Sequence, residues 1–201
     1  MSGHEPESDA GDRGATGTRT RWQAVVDEVE DLDLALYEAV AATPTPSLDR
    51  GLALLTNAAN YSRLWLGVGG VIALAGGARG RRAALRGGAA LLITSAVANL
   101  GVKRFVRRER PARVEARRHR SVRMPESTSF PSGHTASAFA FTLGAAGVVP
   151  GLAVPLVPLA AAVGYSRVHG GVHYPGDVLA GAVLGSVVGI VLPGRHHRAR
   201  A

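Results

Sequence analysis

From Trp22 to about Ala42 apolar residues recur at helical spacing: Trp22, Val25, Val26, Val29, Leu32, Leu36 and Val40. Asp27, Glu28, Glu30, Asp31 and Asp33 fill much of the remainder. The pattern predicts an acidic amphipathic helix, too charged to cross a bilayer. It would lie at an interface, against a basic loop or, most simply, on the surface. Thr43-Pro44-Thr45-Pro46 breaks it, and Ser47 is expected to cap a second helix from Leu48 to about Asn60. Residues 21–61 therefore read as amphipathic or interfacial helices. Residues 1–20 hold Gly, Ser, Asp, Glu and Arg without aliphatics, which predicts a disordered tail and no secretory signal.

Beyond residue 61 the pattern changes. Leu64–Ala78 and Gly87–Val102 are uncharged and apolar, separated by Arg79, Arg81, Arg82 and Arg86. Ser127–Ser166 contains no Asp, Glu, Lys or Arg, and Pro150-Gly151 is the expected turn dividing it into two helices. Val178–Gly194 is the last run, before a basic tail at 195–201. The single runs span 15–17 residues, roughly 22–26 Å of helix against a hydrocarbon core of ~30 Å, so flanking residues must extend them. Gly and Ala are abundant in them, as close helix packing in lipid requires. The expected fold is all-α, a multi-pass transmembrane helix bundle in residues 62–194. About five helices would cross the membrane, six being the alternative count and a soluble bundle the competing architecture.

Charge changes the picture locally. The chain carries +8, yet Lys103–Arg123 alone holds ten basic and two acidic residues, and the remaining thirteen of each sign cancel. One loop thus carries the whole imbalance, which suits a local anion site or lipid headgroups and argues against nucleic acid as a partner. Lys103 is the only lysine among 23 basic residues. There is no cysteine, so disulfides and thiolate chemistry are excluded.

Three polar segments interrupt the apolar chain, each at a predicted helix end. They are Lys103-x6-Arg110-Pro111, then Pro131-Ser132-Gly133-His134, then Ser166-Arg167-x5-His173-x3-Asp177. If successive helices are antiparallel, all three lie at one end of the bundle. Ser132 is a good N-cap, Gly133 lets a ligand approach the backbone, and the first amides of the helix favour a phosphate-like anion. Arg and Lys offset spread-out negative charge on a transferring phosphoryl group. A neutral imidazole held by a carboxylate can attack phosphorus, and a second can protonate the leaving oxygen. Asp177 stands four residues after His173, with Pro175 between them placing the pair on a turn into a helix. The residues alone leave open which histidine attacks.

In order and spacing, these segments resemble the tripartite signature of the type 2 phosphatidic acid phosphatase family, part of the acid phosphatase–vanadium haloperoxidase superfamily. The resemblance covers about Leu64 to Leu192. It implies that His173 is the nucleophile, forming a phosphohistidine and oriented by Asp177, and that His134 is the general acid. It further implies that Lys103, Arg110, Ser132, Gly133 and Arg167 bind the phosphoryl group, with no metal and no cofactor. The expected activity is hydrolysis of a lipid phosphate or diphosphate in the cell membrane: a polyprenyl phosphate or diphosphate, phosphatidate or a prenyl-linked sugar phosphate. The alternatives are a vanadium-dependent haloperoxidase and a non-enzymatic protein that binds anionic lipid. His119, His196 and His197 read as solvated, and His169 occupies a free position of the motif. Arg104, Arg107, Arg108, Arg113, Arg117, Arg118, Arg120 and Arg123 read as headgroup or interface contacts, and Asn99 as a bond to a neighbouring helix.

Overall fold

Thr20 opens the first helix with a reciprocal cap: its hydroxyl accepts from the Gln23 amide at 3.3 Å while its own amide donates to the Gln23 side chain at 2.8 Å. The computed structural model describes residues 20–112, 120, 122 and 124–193. The expected disordered tail up to residue 19 and the basic C-terminal tail lie outside the described residues, as do Arg113, Arg117, Arg118, His119, Arg123, His196 and His197. The elements are α1 (Arg21–Ala42), α2 (Pro46–Ala58), a 3-10 turn (Asn60–Ser62), α3 (Arg63–Ala75) and α4 (Gly77–Ala96). A π-helical segment (Val97–Val102) leads into the short α5 (Lys103–Phe105), followed by α6 (Gly133–Ala146), α7 (Ala153–His169) and α8 (Pro175–Val191). No strand occurs among the described residues.

The second helix starts earlier than expected. Pro46 takes its first turn, where a missing N–H costs nothing, so Thr45 and not Ser47 is the cap residue. The Arg79–Arg86 stretch likewise belongs to a helix, because the turn falls at Gly76–Gly77, where Gly77 has φ +56°. α4, the π segment and α5 therefore form one rod, Gly77–Phe105, of 29 residues. It and Pro150–His169 are long and apolar enough to cross a membrane.

α6 is the central rod, and its inward surface is almost all small: Thr135, Ala136, Ala138, Ala140, Gly144 and Ala145 are buried. α8 lies against it through Gly181, Gly185 and Gly189. A Cβ added at Gly185 would stand 2.1 Å from the Ala136 carbonyl oxygen, and one at Gly181 would stand 2.6 Å from that of Ser132. Spacing of four residues puts all three glycines on one stripe, so two backbones meet with no side chain between. Trp65 of α3 and Phe141 of α6 stack at 5.3 Å in the apolar core. At the end of the bundle away from the polar segments, Arg86 donates to the carbonyls of Leu192 (2.6 Å), Gly189 (3.3 Å) and Gly144 (3.3 Å), closing the C-terminal ends of α8 and α6.

The outside of the bundle is apolar. Leu66, Leu74, Leu85, Val154, Leu179 and Ile190 are all exposed. α1 follows the same rule in an unexpected way. Trp22, Val29, Leu32 and Leu36, which define its apolar stripe, point outward, while the buried residues are Asp33 and Tyr37. Its polar face, not its apolar one, packs on the protein. It is more than the simple surface helix that the periodicity suggests.

Candidate active site

Alternating helix directions bring the end of α5, the start of α6, the end of α7 and the start of α8 to one end of the bundle. Each polar segment of the sequence lies there. The α7–α8 connection turns tightly through Gly170 and Gly171, the latter at φ +70°, and Pro175 starts α8. Asp177 is the third residue of that helix, and its carboxylate reaches back over the turn.

This carboxylate is fully occupied. Its Oδ2 accepts from the Tyr174 amide at 2.9 Å and from the Ser129 hydroxyl, and lies 3.4 Å from His173 Nδ1. Its Oδ1 accepts from Arg108 Nη1 at 2.9 Å. Since a carboxylate can only accept, His173 carries its proton on Nδ1 and keeps a lone pair on Nε2. Nε2 faces Arg110 Nη1 at 3.3 Å. Burial pushes the His173 pKa down to about 4, helped by the cations Arg110 and Arg167 and opposed by Asp177. The imidazole is neutral over the physiological range.

A cavity of 230 Å³ opens in front of it, lined among others by Lys103, Arg110, Gly133, His134 and His173. Arg110 is held in a fork: Nε donates to the Ser127 carbonyl at 2.9 Å, Nη2 to that of Thr128 at 3.1 Å, and Nη1 to that of Val172 at 2.7 Å. Lys103 Nζ donates to the Ser127 hydroxyl at 3.2 Å. The α6 amides that precede its first internal bond, Ala136 N–H to Ser132 carbonyl, stand at the positive end of the helix. His134 Nε2 lies 2.9 Å from the side-chain oxygen of Asn60. A neutral imidazole facing a cavity ringed by cations and helix-terminal amides suits attack on a phosphoryl group.

Three of the expected residues stand behind this surface. Asp177 is buried beneath His173. Arg167 is 2% exposed, with Nη1 donating to the Thr56 hydroxyl at 2.6 Å. Ser132 is fully buried and is the N-cap residue by position, but its hydroxyl caps nothing; it accepts from Thr135 at 2.9 Å, while its amide donates to the Asp177 carbonyl at 3.0 Å.

Several other expectations change. Arg108 is not a headgroup contact: it bridges Asp177 and, at 2.7 Å, Asp33 of α1. Arg120 is buried, with Nε 3.0 Å from Asp49 and Nη2 donating to the Thr43 carbonyl at 2.9 Å. His169 turns away from the cavity toward Thr45 and Asp49, at 2.9 and 3.0 Å. Asn99 bonds to Ser95 of its own helix at 3.3 Å, and both line the cavity. Sequence reasoning did not single out Ser127, Ser129, Thr56, Asn60 or Asp33 as site residues. The hydroxyl run Ser127-Thr128-Ser129, just ahead of Pro131, was the one local signal for the first two.

Comparison with known proteins places this arrangement. The sequence profile of the PAP2 superfamily matches residues 84–200. Decaprenylphosphoryl-5-phosphoribose phosphatase of Mycobacterium tuberculosis is 40% identical over 125 residues, covering 61% of this chain and 68% of that one. The protein of the same name from Mycolicibacterium smegmatis is 36% identical over 154 residues, covering 76% and 81%. Among solved structures, a transmembrane PAP2-type phosphatidylglycerolphosphate phosphatase from Bacillus subtilis superposes with a TM-score of 0.61 at 24% identity, over 82% of this chain and 85% of that one.

Proposed function

The chain belongs to the PAP2 superfamily, and we propose that within it the protein is a membrane phosphatase that removes a terminal phosphate from a prenyl-linked sugar phosphate. The observation that carries the reading is the placement of His173, with Nδ1 turned to Asp177 and Nε2 beside Arg110, on a cavity that Lys103, Arg110 and His134 also line. The choice of lipid rests on the two mycobacterial relatives, named for a phosphoribose carried on a decaprenyl phosphate.

In this mechanism the phosphate enters between Lys103, Arg110 and the first amides of α6. Arg167 adds positive charge from behind. His173 Nε2 attacks phosphorus in line, the bond from phosphorus to the sugar oxygen breaks, and His134, which takes up a proton as the negative phosphate enters beside it, gives that proton to the leaving oxygen. Asp177 steadies the imidazolium that forms. Water, deprotonated by His134, then attacks the phosphohistidine and releases inorganic phosphate and neutral His173. The apolar exterior of α3, α4, α7 and α8 seats residues 62–194 in the bilayer, and the outward apolar stripe of α1 lies at its surface.

Phosphate release by the detergent-purified protein tests this, from a panel of prenyl-linked phosphosugars, prenyl diphosphates and phosphatidate, with chelator present and His173→Ala as control. Chelator-resistant release that favours the phosphosugar and vanishes in the variant is the expected result. Release from phosphatidate alone would refute the substrate class, and no release from any lipid would refute the reading.

A further inference from the structure

α1 lies outside the stretch matched by the superfamily profile, yet it reaches the carboxylate behind His173. Asp33 is 7% exposed and Tyr37, one turn on, is 3% exposed. Asp33 Oδ1 accepts from the Gly176 amide at 2.7 Å, in the first turn of α8, and its Oδ2 lies 2.7 Å from Arg108 Nη1. The same Nη1 donates to Asp177 Oδ1 at 2.9 Å. The Arg108 guanidinium also stacks 4.2 Å over the Tyr174 ring, which meets Tyr37 edge-on at 5.5 Å. The Asp33 carboxylate is seated directly on Gly176, where a Cβ would stand 2.7 Å from its Oδ2. Both ends of the Tyr174–Asp177 turn are thereby tied to α1.

We infer that Asp33 is a positioning residue for the reaction, acting through Arg108 and the Gly176 amide on Asp177. The charges give the reason. Arg108 paired with Asp177 alone would make a neutral couple, poorly suited to steady a positive imidazolium on His173. With Asp33 sharing the arginine, the trio carries one net negative charge, and that charge is what phosphohistidine formation draws on. Arg108 Nη1, held between the two carboxylates, also fixes which way Asp177 Oδ1 points, leaving Oδ2 for His173. The inference rests on His173 acting as the nucleophile of a phosphatase.

The test is steady-state kinetics on the full-length protein with a prenyl-linked phosphosugar, comparing wild type, Asp33→Asn, Arg108→Ala and the double variant. Asparagine still accepts from Gly176 but lacks the charge. The expected result for Asp33→Asn is a kcat lower by about tenfold or more, the size of one lost charge-assisted hydrogen bond, with KM within about threefold. The double variant should be no slower than Arg108→Ala, because Asp33 acts through that arginine. Should Asp33→Asn not fold, Asp33→Ser substitutes for it: the short hydroxyl carries no charge to share the arginine, and the same kcat loss is expected. Unchanged kcat in whichever of the two variants is assayed, or losses that multiply in the double variant, would overturn the inference. If wild type and His173→Ala release phosphate equally, the reaction reading itself fails, and this inference with it.

Discussion

Asp177→Asn separates the charge of this residue from its shape. The carboxylate receives four donors, three on Oδ2 and one on Oδ1. An amide offers one oxygen and one NH2. If its oxygen takes the Oδ2 place, the Tyr174 amide, Ser129 and His173 keep an acceptor, and the NH2 confronts Arg108 Nη1, which retains Asp33. In the reverse orientation the NH2 faces three donors, and His173 must move its proton to Nε2, which closes the lone pair needed for attack. The first orientation is the cheaper one, and it still removes the negative charge 3.4 Å from His173 Nδ1. At an effective dielectric of about 20, that charge is worth about 5 kcal/mol to a full imidazolium at this distance. A lowering of kcat by about 10³-fold or more follows. The assay is single-turnover phosphate release in detergent, with thermal unfolding of the same samples to confirm folding. A folded Asp177→Asn protein within tenfold of wild type would refute the argument that this carboxylate steadies His173 electrostatically.

Two further outcomes follow from the packing and the electrostatics. Gly185→Ala puts a methyl 2.1 Å from the Ala136 carbonyl oxygen and should lower stability by roughly 1–3 kcal/mol, read as a drop in unfolding temperature; Gly70→Ala, with nothing within 4 Å, is the control and should not. Because the His173 pKa is lowered to about 4, the nucleophile stays unprotonated well below the usual imidazole range. The enzyme group seen in kcat/KM, corrected for substrate ionisation, should therefore titrate below pH 5, with activity lost as pH falls through it; an enzyme midpoint at 6.5 would contradict this.

The end of the bundle that carries the candidate site was legible because its polar segments are local in sequence. His173, Pro175 and Asp177 specify a turn entering a helix, and Ser132-Gly133-His134 specify a helix start. Uncharged runs mark much of each rod but not every boundary: the arginines from Arg79 to Arg86, read as a break, lie inside α4, whose start is set by the turn at Gly76–Gly77. Among the described residues two rods, Gly77–Phe105 and Pro150–His169, are long and apolar enough to cross a membrane, and Pro175–Val191 is a shorter apolar helix. The supporting layer is different. Asp33 is one of six acidic residues on α1, a helix whose pattern allows it to lie against a basic loop without saying which carboxylate would meet it, and its partner Arg108 sits in a run of arginines that look alike. Nothing local tells Arg108 from Arg107, since what distinguishes them is which face of a loop meets a helix far away in sequence. The α1 stripe misleads for a physical reason: where the surroundings are apolar, the apolar face of a helix can turn outward and its polar face inward, reversing the rule for a helix packed on a protein in water. Thr56 and Asn60 are legible only once α2 and the 3-10 turn after it are known to reach Arg167 and His134.

The central claim is that His173 carries the phosphoryl group between substrate and water. Rapid quenching of the protein during turnover of a prenyl-linked phosphosugar labelled in its terminal phosphate, followed by peptide mapping, tests it directly. Acid-labile, base-stable label on His173, absent from His173→Ala, is the result predicted. Turnover with no covalent label, or label on His134, would contradict it.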